Sequence, residues 1–489
     1  MHPSALAKRL YLLLFLVIIA FYLYGLGMLP LLGPDEPRYA QVAREMFLRG
    51  DLITPTLGGH TWFEKPALPY WLMVASYKMF GVHEWSARFG SALCGLLTIA
   101  AVAYVGRAVE RVLDVSGAPE QASGFGFSSV LVAASSLGLI VFSRAASFDV
   151  AITATTAWAL AFFLVRELRR ETRSALLIGF YICIGLSLLA KGLVGIVIPF
   201  GVVGLYYLLR RTWPTRQVWL SLLWGLPLAL AVSAIWYGPV ISLHGWTFIN
   251  EFFIQHHFAR YVSNKYHHPQ PIYFYPIIIL LLALPWTPFL LTALAKIRTW
   301  AWRGADALSI VRVFAFAWLI LPIVFFSFSG SKLPGYILPS LPGAAFLITD
   351  HLLRSQSRWL PGPTTRLVIF GATLIVVAAV LIFAAPRYTE GESVRDLLRV
   401  ADARGYAGAP VLARRGDDRS AQFYAYDRVV YNAEGEVVTF DEVSRERARA
   451  LGQKLVVLIP AEYVDYFRDT PNIEVIGNNG RTAVLGWTP

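Results

Sequence analysis

The sequence predicts a polytopic α-helical membrane protein of about eleven to thirteen spans, followed by a small C-terminal α/β domain. Three observations predict it. Of 489 residues, 56% are hydrophobic and only 15% charged, whereas a soluble domain carries closer to a quarter charged residues. Apolar runs long enough to cross a bilayer recur from the N-terminus to residue 385. From Pro386 onward charge rises, and the short β-type runs VLA (411–413), KLVVLI (454–459) and TAVLGW (482–487) alternate with helical patterns such as 441–452. Residues 1–385 therefore read as a transmembrane domain. Residues 386–489 form a unit large enough to hold its own core.

Spans are expected near 10–32, 85–106, 126–142, 148–165, 174–190, 193–209, 217–240, 273–295, 310–328, 335–350 and 366–385. The first has Lys8 and Arg9 before it, is too long for a signal-peptide core and lacks a small-residue cleavage site, so it reads as an uncleaved span. The patch 67–80 is short and bounded by charge, and reads as an interfacial helix. Basic residues gather in alternate loops: Lys8/Arg9, Arg107/Arg111, the run RELRRETR at 166–173, Arg210/Arg211/Arg216, Lys296/Arg298/Arg303 and Arg354/Arg358/Arg366. The positive-inside rule places these loops in the cytoplasm. The loops 33–84, 143–147, 241–272 and 329–334, and the C-terminal domain, then face outward. The net charge of +12 is explained by this topology, and no basic groove or stacking motif points to nucleic acid. Cys94 and Cys183 both lie within apolar runs, which argues for packing and against a disulfide or a thiolate metal site. No internal repeat is visible, which weakens a transporter reading.

The polar residues left unexplained collect on the outer face. Asp35, Glu36 and Arg38 follow the first span, and Glu64 and Lys65 close the same loop. Pro37 disfavours helix at Glu36 and suits the first turn of a helix over 38–49, whose dipole would favour the acids at its start. A plain acidic helix cap is the competing reading for Asp35. Arg144 and Asp149 bracket a short turn between two spans, Lys191 lies between two others, and Lys332 and Tyr336 occur in SGSKLPGYILP. Carboxylates and cations placed against bilayer segments usually have a use, although a lone charge can simply snorkel. Arg38, Lys65, Lys191, Arg260 and Lys332 can neutralise a phosphate at the membrane surface, while Asp35 and Asp149 act on an acceptor or on a sugar. That combination fits transfer of a group from a lipid phosphate. The cations would stabilise the leaving group, and a carboxylate would deprotonate a hydroxyl acceptor. His256, His257, His267 and His268 lie in the loop 241–272. Adjacent helical side chains point about 100° apart, so spacing alone favours an exposed cluster over a metal site.

DEPRYA at 35–40, EKP at 64–66 within FEKPALPYW, and a many-span body with an outer C-terminal domain together resemble the GT-C membrane glycosyltransferases. Within them the chain is similar to the bacterial aminoarabinose (4-amino-4-deoxy-L-arabinose) transferases, relatives of the protein O-mannosyltransferases. The resemblance covers most of residues 10–350. It implies a polyprenyl (undecaprenyl) phosphate-linked sugar as donor, transfer with inversion on the periplasmic side of the bacterial inner membrane, and lipid A or another periplasmic acceptor. By motif it implies Asp35 as the catalytic acid and Asp149 as a second active-site acid. It also implies Arg38, Lys65 and Tyr336 as donor-phosphate ligands, and Glu64, His256 and His257 as ligands of a divalent metal, zinc in that group. The leading expectation is therefore an inverting, lipid-phosphate-dependent glycosyltransferase. The rivals are a related transferase with another sugar or a protein or glycan acceptor, and a transporter of lipid-linked glycans. A lipid A phosphate is already ionised and needs no base, which leaves Asp35 free to orient the sugar.

Overall fold

The computed structural model describes residues 5–116, 124–171, 174–259, 270–354, 361–413, 419–432, 437–468 and 470–489. The helices, in chain order, are α1 (Ala5–Leu23), α2 (Asp35–Arg49), α3 (Ala67–Phe80), α4 (Glu84–Val115), α5 (Phe125–Ser135), α6 (Leu137–Ser143), α7 (Phe148–Arg169), α8 (Ala175–Lys191) and α9 (Val194–Arg210). They continue with α10 (Arg216–Phe248), α11 (Phe274–Leu282), α12 (Thr287–Ala295), α13 (Ala307–Ser327), α14 (Leu341–Arg354) and α15 (Pro363–Ala379). Each expected span contains helix, although α1 ends at Leu23, short of the expected residue 32. Among the described residues five helices are long and apolar enough to cross a membrane, and α5 with α6, bent by 57°, make a sixth. α1, α8 and α9 are shorter apolar helices. The chain is thus a multi-pass membrane protein.

Several spans differ in detail from the expectation. The expected span 273–295 is broken into α11 and α12, and 335–350 begins with the tight turns Pro334–Ser340 before α14. The α5–α6 bend leaves backbone groups that a membrane protein must satisfy internally. The Ser135 and Ser136 hydroxyls donate to the carbonyls of Leu131 (2.6 Å) and Val132 (2.7 Å). The Leu137 N–H donates to the Leu284 carbonyl at 2.8 Å, and the Trp286 indole donates to Ser135 Oγ at 2.9 Å. These partners are the physical reason a bent span is tolerated here.

The chain divides into two compact units, but not at residue 385. Unit 1 comprises 1–24, 63–69 and 89–376. Its centre is α7, whose run AITATTAWALA presents small side chains that let neighbouring backbones approach closely. Thr153 and Thr156 return their hydroxyls to the carbonyls four residues back. Between α13 and α14, Arg312 forms a buried ion pair with Asp350 at 2.7 Å, and Arg354 joins it from the helix end.

Unit 2 comprises 25–62, 70–88 and 377–489, so it joins the first loop to the C-terminal domain. The loop carries a two-residue hairpin, β1 (Thr56–Leu57) and β2 (His60–Thr61). The C-terminal sheet contains β3 (Val411–Ala413), β4 (Leu455–Pro460), β5 (Ile473–Asn478) and β6 (Thr482–Trp487), in the order β3-β4-β6-β5. The β3–β4 pair is parallel and the others antiparallel. Alternation along β4 sends Val456 and Leu458 to one core, with Leu398 and Tyr406, and Val457 and Ile459 to the other, with Phe440 and Trp487. The expected helix 441–452 runs Glu442–Ala450 behind a capping box in which Asp441 accepts from the Ser444 N–H at 2.8 Å and Ser444 Oγ accepts from the Asp441 N–H at 2.9 Å.

What ties the loop to the C-terminal domain is polar and long-range. The Arg44 guanidinium donates to the Phe423 carbonyl at 2.8 Å and lies 4.3 Å from the Phe423 ring centroid and 4.7 Å from that of Tyr426. The Tyr424 hydroxyl accepts from the Leu31 N–H at 2.8 Å and donates to Glu84 at 3.1 Å, and Arg395 also reaches Glu84 at 3.1 Å. Burial, and next the Glu84 carboxylate, hold the Tyr424 hydroxyl well above the usual tyrosine range. The domain expected over 386–489 is therefore part of a larger unit that includes the first loop.

Candidate active site

The first-loop helix begins at Asp35, three residues before the expected start. Pro37 is no obstacle there, because the first four N–H groups of a helix have no intrahelical partner to lose. The two consecutive acids then part. Glu36 turns inward and takes the Arg88 guanidinium through both carboxylate oxygens, at 3.0 and 2.6 Å. Arg88 also donates to the carbonyls of Leu26, Leu29 and Pro30 at 2.6–2.8 Å. This pair fixes the entry of the chain into α2. Asp35 turns outward, with its side chain half exposed, and pairs with Arg38 one turn on. The Arg38 guanidinium lies 5.3 Å from the Tyr39 ring and 5.4 Å from the Trp62 ring, close enough for cation–π attraction. Asp35 and Arg38 are thus a matched acid and base on a rigid helix start, all within unit 2.

In unit 1 a second acid meets a second cation. Asp149 lies in the first turn of α7, where its N–H donates to the cap residue Ser147 at 3.1 Å. Lys191 is the last residue of α8. Both charges therefore sit at the helix ends that favour them. They form an ion pair whose side chains are 13% and 18% exposed, for Lys191 and Asp149 respectively. The Lys191 ammonium also lies 4.2 Å from the centroid of the Tyr336 ring. A β-carbon at Gly335 would collide with the Asp149 carboxylate, so only glycine lets the 334–340 turns come this close. The structure thus brings Asp149, Lys191 and Tyr336 together.

Glu64 and Lys65 form an ion pair at 2.8 Å, also in unit 1. The preceding Phe63 packs edge-on against His244 and Phe248 at the end of α10, with centroids 5.0 and 5.2 Å away, which anchors this end of the loop. Lys332 departs from expectation. It is only 8% exposed, and its ammonium donates to the Ser329 carbonyl at 2.8 Å, just past the end of α13. Unsatisfied carbonyls at a helix end attract a cation, so Lys332 closes that end where a surface phosphate ligand was expected. Arg144 likewise donates to the carbonyls of Phe21, in the last turn of α1, and Tyr24, just past it.

Arg260, His267 and His268 lie outside the described residues, as does the side chain of His257. His256 falls in the wide turns Ile249–Ala259 that continue α10. Among the described residues no three His, Cys, Asp or Glu side chains gather as a cation site, and the Glu64 carboxylate is engaged by Lys65. The expected metal set Glu64, His256 and His257 therefore lies partly outside the described residues. Sequence reasoning singled out Glu36 but missed its partner Arg88. The available signal was an arginine inside an apolar span.

Comparison with known proteins adds an independent line. Residues 64–237 match the family described as dolichyl-phosphate-mannose-protein mannosyltransferase. The undecaprenyl phosphate-alpha-4-amino-4-deoxy-L-arabinose arabinosyl transferase of Aeromonas salmonicida is 29% identical over 406 residues, covering 79% of this chain and 68% of that one. The enzyme of that name from Pseudomonas aeruginosa is 30% identical over 351 residues, covering 70% of this chain and 59% of its own. The fold matches the crystal structure of ArnT from Cupriavidus metallidurans bound to undecaprenyl phosphate, with a TM-score of 0.75, 23% identity and coverage of 97% and 98% of the two chains. Its apo form gives a TM-score of 0.77 at 22% identity, covering 98% of each chain. With its sequence similar to these transferases over most of its length and its fold matching over nearly all of it, the chain belongs to the GT-C membrane glycosyltransferases, in the group of the aminoarabinose transferases.

Proposed function

We propose that this protein transfers 4-amino-4-deoxy-L-arabinose from undecaprenyl phosphate to a phosphate of lipid A, at the periplasmic face of the bacterial inner membrane. The observation that carries the reading is the Asp149–Lys191–Tyr336 cluster, an ammonium held at a helix end between a carboxylate and an aromatic face. Such a cation can exchange its carboxylate partner for an incoming phosphate without leaving its place. The names of the relatives supply the donor, and the basic loops supply the orientation.

In this reading the bond between the sugar C1 and the donor phosphate oxygen breaks, and its electron pair leaves with the polyprenyl phosphate. An acceptor oxygen forms the new bond to C1 from the opposite side, inverting that centre. Lys65, Lys191 and Tyr336 serve the leaving phosphate, with Arg38 and Arg260 assigned to the same role by sequence. Cations preorganised where negative charge grows are among the largest contributions to such catalysis. A lipid A phosphate attacks as an anion, so Asp35 holds the sugar and balances positive charge developing at C1. Asp149 keeps Lys191 placed before the donor arrives.

The test is transfer by purified protein, with undecaprenyl phosphate-linked aminoarabinose as donor and lipid A as acceptor. Mass analysis of the product should show one added aminoarabinose on a phosphate. A wild-type protein that leaves lipid A unmodified but glycosylates a protein hydroxyl or another glycan would overturn the acceptor and retain the family chemistry.

A further inference from the structure

The helices that bring Asp149 and Lys191 together hold a cavity of about 550 Å³ toward their other ends, bordered by α7, α8, α9 and α10. Phe163, in its wall, is fourteen residues beyond Asp149 in α7, about 21 Å along the helix axis. The cavity is therefore distinct from the donor-phosphate site. Its walls are apolar and rich in aromatic side chains, including Phe163, Phe180, Phe200 and Tyr207, and its mouth carries Arg211 and Thr212. Trp213 is 84% exposed beside that mouth, and Leu208 and Trp219 are exposed as well. Exposed tryptophan next to arginine at the end of a spanning helix marks the level of lipid headgroups.

We propose that this cavity binds an anionic phospholipid, with one acyl chain in the aromatic chamber and the phosphodiester at Arg211 and Thr212. The walls suit a hydrocarbon chain, and the volume lies within the range of small-molecule sites. Charge selects the headgroup. Arg211 caps α9 in a left-handed conformation (φ 53°), and its N–H is spent on the Tyr207 and Leu208 carbonyls. Among the described residues no carboxylate pairs with its guanidinium. The nearby Glu167 is held by Arg166 at 2.9 Å, and Arg210 and Arg216 add positive charge at the same helix ends. Basic pockets between spanning helices on the cytoplasmic side are a recurrent recognition mode for anionic lipids, and the basic loops place this end there. The bilayer itself supplies the ligand.

Gly204 makes the inference testable, because it lines the chamber and a β-carbon there meets no atom within 4 Å. Delipidated full-length protein would be titrated with phosphatidylglycerol, or with phosphatidylethanolamine of the same acyl chains, and bound lipid counted by native mass spectrometry. Wild type should retain one phosphatidylglycerol in preference to phosphatidylethanolamine. Arg211→Ala should weaken that retention about fivefold, the effect of one basic residue at an anionic lipid surface. Gly204→Phe should abolish it, with an unchanged melting temperature reporting that the fold is kept. Equal retention of the two lipids, indifference to both substitutions, or displacement of phosphatidylglycerol by undecaprenyl phosphate from this chamber would overturn the proposal. None of these results bears on the transfer reaction, whose assay is separate.

Discussion

Helices α2 and α7 each begin with an aspartate that meets a cation, yet the two pairs are built differently. Asp35 reaches a partner one turn along its own helix and remains half exposed. Asp149 meets an ammonium that arrives from α8, 42 residues later, and both side chains are largely buried. An exposed local pair contributes little to stability, so Asp35 is available for chemistry. A pair removed from water holds its partners, because losing one strands the other in a medium that solvates it poorly. In the proposed reaction the contrast separates Asp35, which acts on the sugar, from Asp149, which holds Lys191.

Substitution at the two aspartates sharpens this contrast most. Asp35→Asn should lower the transfer rate by about 10²–10⁴-fold, the range for a positioned carboxylate in catalysis, while thermal unfolding in detergent stays at the wild-type temperature. A wild-type rate in that variant would reduce Asp35 to a helix cap. Asp149→Ala should do the reverse in stability, costing about 3 kcal/mol by leaving Lys191 unpaired. Adding Lys191→Met to it should restore part of the melting temperature, and no restoration would mean that the pair is not what Asp149 supports.

Two smaller effects test whether Asp35 depends on the C-terminal domain. Arg44→Ala removes a hydrogen bond and two cation–π contacts within unit 2, and should cost about 2 kcal/mol. Its turnover should fall more than its KM for donor rises, because α2 is then less firmly held. Tyr424→Phe removes a hydroxyl shared by Leu31 and Glu84, and should cost about 1 kcal/mol. If calorimetry finds neither variant destabilised, the loop and the C-terminal domain do not fold as one unit.

Local pattern made much of this legible. Apolar run length marked the helical segments of the membrane body, and short continuous apolar runs marked β3, β4 and β6. β5 escaped because only Ile476 along it is fully buried, and its sequence IEVIGN carries no continuous apolar run. The start of α2 was misplaced because Pro37 was weighed as a helix breaker, whereas in the first turn it loses nothing. Lys332 looked like its neighbours in type and position, and only the carbonyl it caps distinguishes it. Union of the first loop with the C-terminal domain rests on partners nearly four hundred residues apart, and no local periodicity records such a pairing. Asp35, Asp149, Lys191 and Tyr336 were visible as charge or polarity against apolar runs. That Asp149 and Lys191 meet required the packing of α7 on α8.

The bond from Arg44 to the Phe423 carbonyl also has a consequence in time. The two residues are 379 positions apart, and a chain elongating at about 5–20 residues per second takes about 20–80 seconds to span that interval. Throughout that time the helix bearing Asp35 exists without the segment that clamps it. A chain interrupted before Phe423 would carry α2 without this bond, so the first loop settles into its unit only late in synthesis.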